Sequence, residues 1–142
     1  MSDAKAADPA SKLVLLVDDD ESLLDLMEHV VKKEGFRTDR AVDGPETLRK
    51  VEALNPDLIV LDMMLPGFGG GEVLRELRVA GRTGIQVIVI TGRQMDEEGA
   101  ARVRREPAVR EFMQKPVRPA VLAETLHRLL GTLPPSRPGG GA

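Results

Sequence analysis

Three acidic residues in a row, Asp18-Asp19-Asp20, follow the aliphatic run Leu13-Val14-Leu15-Leu16-Val17, and a further aspartate, Asp62, closes the run Leu58-Ile59-Val60-Leu61. Thr91-Gly92 follows Val87-Ile88-Val89-Ile90, and Lys115-Pro116 comes after a weaker segment, Glu111 to Gln114. Singly, each has an ordinary explanation. An aspartate after a strand caps a helix or makes a turn, Thr-Gly is turn chemistry, and a lysine is usually solvated. Together they make a chemical set of carboxylates, a hydroxyl and an ammonium. Asp18, Asp19 and Asp62 crowded together repel one another unless a cation intervenes. Mg²⁺ fits best, because it keeps several waters and uses one or two carboxylates plus phosphate oxygens. A carboxylate neutralised in this way can attack phosphorus. The transferred phosphoryl group then needs fixed cations and donors on its equatorial oxygens, which Mg²⁺, Lys115 and the Thr91 hydroxyl would supply.

That chemistry requires the groups to meet, and the intervening pattern provides the means. The dense branched runs read as strands buried on both faces, with Arg37 to Ala41 and Glu111 to Gln114 as weaker strands. Between them lie amphipathic stretches. Leu23, Leu26, Met27, Val30 and Val31 share one helical face, with Asp20 placed as N-cap and Gly35 as the stop. Pro45 at N1 opens a second helix through Leu48, Val51 and Leu54, closed by Asn55-Pro56. Val73, Leu74 and Leu77 mark a third, Ala100 to Arg105 a short fourth, and Pro119 opens a fifth that ends at Gly131. Five strand–helix repeats predict an α/β fold: a flavodoxin-like (βα)5 doubly wound parallel sheet with strand order 2-1-3-4-5. In such sheets ligands bind beyond the C-terminal strand ends, near the point where the order reverses. Asp18, Asp62, Thr91 and Lys115 all fall there.

Composition removes many other functions. The 142 residues contain no cysteine, which excludes disulfides, thiolate catalysis and cysteine-bound metals. Lys and Arg number 20 against 23 Asp and Glu, and the only aromatics are three Phe, so neither an electrostatic footprint nor a stacking platform for nucleic acid is evident. No apolar run is long enough for a membrane span and the start is no signal peptide, so a cytoplasmic protein is expected. Residues 1–11 and the Pro/Gly-rich 134–142 read as flexible tails around one domain, 12–133, with any output domain lying elsewhere than on this chain.

The segments LVLLVDDDESLLDLM, AVDGPETL, LIVLDMMLPGFGG, VIVITG and FMQKP, in this order, resemble the CheY-like response-regulator receiver domain of bacterial two-component signalling. The resemblance runs over nearly all of residues 12–131. It implies that Asp62 is the phosphoacceptor, that Asp18 and Asp19 hold Mg²⁺ with Asp62 and the backbone carbonyl of Met64, and that Lys115 pairs with the phosphate. It further implies Thr91 as switch hydroxyl, Phe112 as the rotating aromatic, and a cis bond between Lys115 and Pro116. The implied donor is a sensor histidine kinase or phosphotransfer protein. The implied output is a changed affinity of the face formed by the fourth helix, fifth strand and fifth helix for a protein partner, with the chain a monomer or a phosphorylation-dependent dimer.

Some positions depart from that pattern. The stretch from Thr91 to Phe112 is about two residues longer than usual for the family. Pro107 is expected to break or shorten the fourth helix. Phe112 lacks the hydroxyl of the commoner Tyr, and Gly69-Gly70-Gly71 predicts a flexible start to the third helix. The long stretch motivates an alternative function, a phosphorylation-independent interaction module; the complete acidic set, Thr91 and Lys115 speak against it. A haloacid-dehalogenase-type phosphatase would need a second Asp at the position of Met64, a flavodoxin would need a hydroxyl-rich phosphate loop, and no G-x-x-x-x-G-K-[ST] loop is present. The chain is therefore expected to be a phosphoacceptor that catalyses only its own phosphorylation and slow dephosphorylation, not a metabolic enzyme. His29 and His127 lack partners at metal-ligand spacing and are expected at solvent-facing or edge positions. Arg102, Arg104, Arg105 and Arg110 read as a solvated face. Met63, Met64 and Met95 read as gap fillers and loop contacts.

Overall fold

The computed structural model describes residues 6–65, 67–82, 84–92 and 96–135; Met95 and the tail beyond Pro135 lie outside them. Strands and helices alternate: β1 (Leu13–Val17), α1 (Glu21–Lys33), β2 (Arg37–Ala41), α2 (Gly44–Leu54), β3 (Leu58–Asp62), α3 (Gly70–Val79), β4 (Gln86–Thr91), α4 (Glu97–Arg104), β5 (Val109–Gln114) and α5 (Pro119–Leu130). All pairings are parallel, in the order β2-β1-β3-β4-β5. This is the expected flavodoxin-like (βα)5 sheet. No helix among the described residues is long and apolar enough to cross a membrane.

The strands read as unbroken apolar runs because successive side chains serve two cores. Val14, Leu16, Val60, Ile88 and Ile90 pack with Leu24, Met27 and Val31 of α1 and Leu122, Leu126 and Leu130 of α5. Leu15, Val17, Ile59, Leu61, Val87 and Val89 pack on the other face with Val51, Val73, Leu74, Leu77 and Val103. Aspartate side chains cap α1, α2 and α4 where turns leave the strand ends. Asp20 accepts the Ser22 and Leu23 amides at 2.9 and 3.3 Å, and Asp43 accepts the Glu46 amide at 2.8 Å. Pro45 accordingly sits one residue inside α2, after Gly44.

Four local expectations are corrected. Residues 9–11, assigned by composition to a flexible tail, form a turn of 3-10 helix capped by Asp8, and Ala7 bridges Thr132. The Arg37 side chain fastens this turn by donating to the Ala10 carbonyl at 3.1 Å. His127 is 6% exposed rather than solvent-facing. Its Nδ1 lies 2.6 Å from Thr132 Oγ1, its Nε2 lies 2.9 Å from Glu34 Oε1, and its ring packs on Phe36. His29 is exposed, as expected.

Gly70 is enclosed rather than loose, since a Cβ there would meet Met63 Cα at 2.8 Å and Met63 Sδ at 2.7 Å. Helix α4 starts earlier than expected because Asp96 accepts the Gly99 amide at 2.6 Å, and it stops at Arg104, ahead of Pro107. The β4–β5 register breaks once: Val87 faces Val109, but Ile88 faces Glu111, leaving Arg110 as an additional residue on β5. Such a bulge re-aims the side chains after it.

Candidate functional site

Two adjacent strands, β1 and β3, deliver the acidic groups. β1 ends at Val17 and puts Asp18 in a fully buried position, where its amide donates to the Ala41 carbonyl at 3.2 Å and its Oδ1 accepts the Asp20 amide at 2.9 Å. Asp20 is thereby committed to capping α1, while Asp19 is exposed beside it. β3 carries Asp62, 2% exposed, whose Oδ1 accepts the Met64 amide at 3.0 Å. The turn after it stays tight because the Met63 amide donates to the Ile90 carbonyl at 3.0 Å and Gly70 lets α3 begin against Met63.

Lys115 enters from the end of β5. Its amide donates to the Thr91 carbonyl at 2.9 Å, which ties the strand end to β4, and the Lys115–Pro116 bond is cis. The ammonium lies 3.0 Å from Asp18 Oδ2 and 3.5 Å from Asp62 Oδ2. Burial disfavours the Lys115 charge, but the Asp18 and Asp62 carboxylates outweigh it and raise its pKa above the ordinary lysine value. Burial raises the Asp18 carboxyl, with the Asp62 charge adding to it; the Asp20 amide and Lys115 pull the other way without cancelling the effect. Desolvation therefore dominates at Asp18 even with a cation beside it.

One oxygen from each of Asp18, Asp19 and Asp62 lies within 4.8 Å of the others. Asp18 Oδ2 is buried, and among the described residues its one charged contact of opposite sign is the Lys115 ammonium at 3.0 Å, which leaves it room for a further cation. An all-oxygen donor set with one such oxygen fits a hard divalent cation that retains its waters. Asp18 and Asp19 would hold Mg²⁺ with Asp62.

The structure thus gathers Asp18, Asp19, Asp62 and Lys115 at one sheet edge. Thr91, 1% exposed, closes β4 beside Lys115. Met64, two residues past Asp62, is 58% exposed. Phe112 stands further back, paired with Val89 and packed against the core under α2 to α4. The spacing of Gly70 from Asp62 gave no sign of its close approach to Met63; only the folded turn reveals it.

A parallel five-stranded sheet with an acidic cluster and a lysine beyond its strand ends defines a class that comparison makes specific. Residues 14–127 match the response regulator receiver domain family, and the chain belongs to it. It is 37% identical over 103 residues to the sensory transduction protein RegX3 of Mycobacterium tuberculosis strain H37Rv, covering 72% of this chain and 44% of that protein. Against the alkaline phosphatase synthesis transcriptional regulatory protein PhoP of Bacillus subtilis, identity is 37% over 109 residues, covering 77% and 44%. The chain spans about half the length of the curated relatives it matches or less. Among solved structures, the CheY-like receiver domain protein from Methanospirillum hungatei superposes with a TM-score of 0.75 at 28% identity, over 84% of this chain and 93% of that one.

Proposed function

We propose that this receiver takes a phosphoryl group onto Asp62 from a phosphohistidine of a sensor kinase or phosphotransfer protein in the cytoplasm. The observation that carries this reading is the setting of Asp62: buried, fixed by the Met64 amide, and facing both Lys115 and the Asp18–Asp19 pair. An Asp62 oxygen forms the new bond to phosphorus as the phosphorus–nitrogen bond breaks, and the electron pair leaves with the imidazole. Lys115 turns from a partner of two carboxylates into a partner of the phosphoryl oxygens. The Thr91 hydroxyl donates to the same oxygens. Mg²⁺, when bound, neutralises the charge that accumulates between carboxylates and phosphoryl group, and the Met64 carbonyl would complete its protein ligands.

The modification biases two states through its different contacts with them. Thr91 closing on the phosphoryl group vacates space on the face that Phe112 shares, and the ring follows inward. The α4–β5–α5 face then changes its affinity for a protein partner. Of the curated relatives, PhoP is a transcriptional regulatory protein by name and MtrA a DNA-binding response regulator, which fits a receiver that governs an effector.

Intact mass after incubation with acetyl phosphate tests the reading. One phosphoryl adduct is expected, dependent on Mg²⁺ and absent from Asp62→Asn. Equal uptake by Asp62→Asn sinks the assignment, and no adduct under conditions that label another receiver favours the phosphorylation-independent interaction module.

A further inference from the structure

Helix α4 is held to the sheet by little. Val103 is its one buried residue, whereas α1 buries Leu24, Met27 and Val31, and α3 buries Gly70, Val73, Leu74 and Leu77. Just beyond the helix, Glu106 pairs with Arg78 of α3 at 3.1 Å. A further attachment is Arg104, the last helical residue, whose guanidinium carbon stands 4.8 Å above the centroid of the Phe112 ring. That is the geometry of a cation–π contact.

The nearby charges show that this pairing is specific to Arg104. Arg102 takes Glu98 at 3.5 Å, Arg128 takes Glu111 at 2.5 Å, and Arg78 takes Glu106. Each acid around the end of α4 is thus engaged by another arginine, and among the described residues no carboxylate pairs with Arg104. Its planar guanidinium is matched to an aromatic face instead. Arg104 and Phe112 also line an open groove of about 230 Å³ with Val109, Arg110 and Glu111, so the contact forms on the solvent side of the ring. Phe112 is half-buried, with its other side on the core. To move inward, the ring must leave the guanidinium.

We propose that Arg104 is a positioning residue for Phe112: it holds the ring on the α4 side and so sets the resting ratio of the two states. This rests on the switch reading given above. It also gives the Phe at this position a way to be held outward without the hydroxyl that a Tyr would offer. Arg104 touches neither Asp62 nor the Asp18–Asp19 pair, so it acts on the phosphorylation reaction only through the state of the ring. Losing an exposed cation–π contact shifts such a ratio by about two- to five-fold.

The chain has three Phe and no Trp or Tyr, which makes fluorine NMR on 4-fluorophenylalanine-labelled protein a direct reader. Single substitutions assign the Phe36, Phe68 and Phe112 resonances, and beryllofluoride with Mg²⁺ supplies the phosphoryl mimic. In the unmodified protein, Arg104→Ala is expected to move the Phe112 resonance toward its beryllofluoride position. Phe36 and Phe68 should stay in place, which reports that the fold is intact. Arg104→Lys should fall between wild type and Arg104→Ala, and acetyl phosphate should label Arg104→Ala about two- to five-fold faster. A Phe112 resonance that beryllofluoride moves but Arg104→Ala leaves in place overturns the role of Arg104 alone. One that beryllofluoride does not move overturns the switch reading and this role with it.

Discussion

Lys115 and Asp18 form the tightest charge contact of the site, at 3.0 Å, closer than the 3.5 Å between Lys115 and Asp62. In the unmodified protein the lysine therefore serves first the carboxylate that would hold the cation and only second the one that would be modified. Asp18 is fully buried, and removing the partner of a buried charge is costly because the remaining charge is left uncompensated.

Lys115→Ala is accordingly expected to lower the stability of the metal-free protein by about 1–3 kcal/mol. Mg²⁺ should restore more stability to this variant than to wild type, since the cation relieves the repulsion that the lysine no longer relieves. Thermal unfolding with and without Mg²⁺ checks both halves. A variant as stable as wild type without metal would show that Asp18 needs no compensating charge.

The turn after Asp62 offers a paired test. Gly70→Ala places a methyl 2.8 Å from the Met63 Cα, a backbone atom that cannot step aside without moving the Asp62 turn. A cost of about 1–3 kcal/mol is expected, together with slower uptake of phosphate from acetyl phosphate. Gly71→Ala, with nothing within 4 Å of its new methyl, should instead leave labelling unchanged and stabilise α3 by up to about 1 kcal/mol. Urea denaturation and intact mass on the same two variants separate the outcomes.

His127, Glu34 and Thr132 make a buried polar chain at the opposite end of α5 from Lys115. His127→Leu leaves the buried Glu34 carboxylate and the Thr132 hydroxyl without this ring, at an expected cost of about 1–3 kcal/mol. The loss should extend to the Ala7–Thr132 bridge, read as faster amide exchange at residues 7–12. Phosphoryl uptake should not change, because none of the three residues reaches the acidic site.

On the β2 edge, Glu28 accepts from Thr38 Oγ1 at 2.9 Å and from Arg40 at 2.7 Å, while Arg40 also reaches Asp25 at 2.9 Å. Burial opposes the Glu28 charge, but the Thr38 and Arg40 hydrogen bonds and the Arg40 charge outweigh it, so its carboxyl lies below the ordinary value of 4.5. A carboxyl depressed in the folded state adds stability above its unfolded pKa and loses it as pH falls through the folded value. Glu28→Gln should therefore flatten the fall in stability below pH about 4.5, by up to about 1 kcal/mol given its partial exposure. Urea midpoints at pH 3 to 7 for both proteins measure it.

Much of this molecule was legible before folding. The aliphatic runs of β1, β3 and β4 could only be strands covered on both faces, and Asp18, Asp62 and Thr91 had to follow them because each sits next to such a run in the chain. Parallel pairing then placed them at one edge, since every strand of a βαβ unit points the same way. Local patterns of this kind need no knowledge of distant neighbours. The weaker signals failed for the opposite reason. His127 lies on an amphipathic helix, and only the arrival of Glu34 and Thr132 from elsewhere turns that position into a buried one. Residues 7–11 carry too little apolar surface to announce themselves, and are held by the Arg37 side chain and a bridge to Thr132. Gly70 resembled a flexible linker until Met63 was packed against it. Arg104 looked like one of several solvated arginines until α4 ended over Phe112. Sequence spacing determines which strand end carries each reactive group; contacts between residues far apart in the chain decide which charges are paired, which glycine is indispensable and which arginine holds the ring.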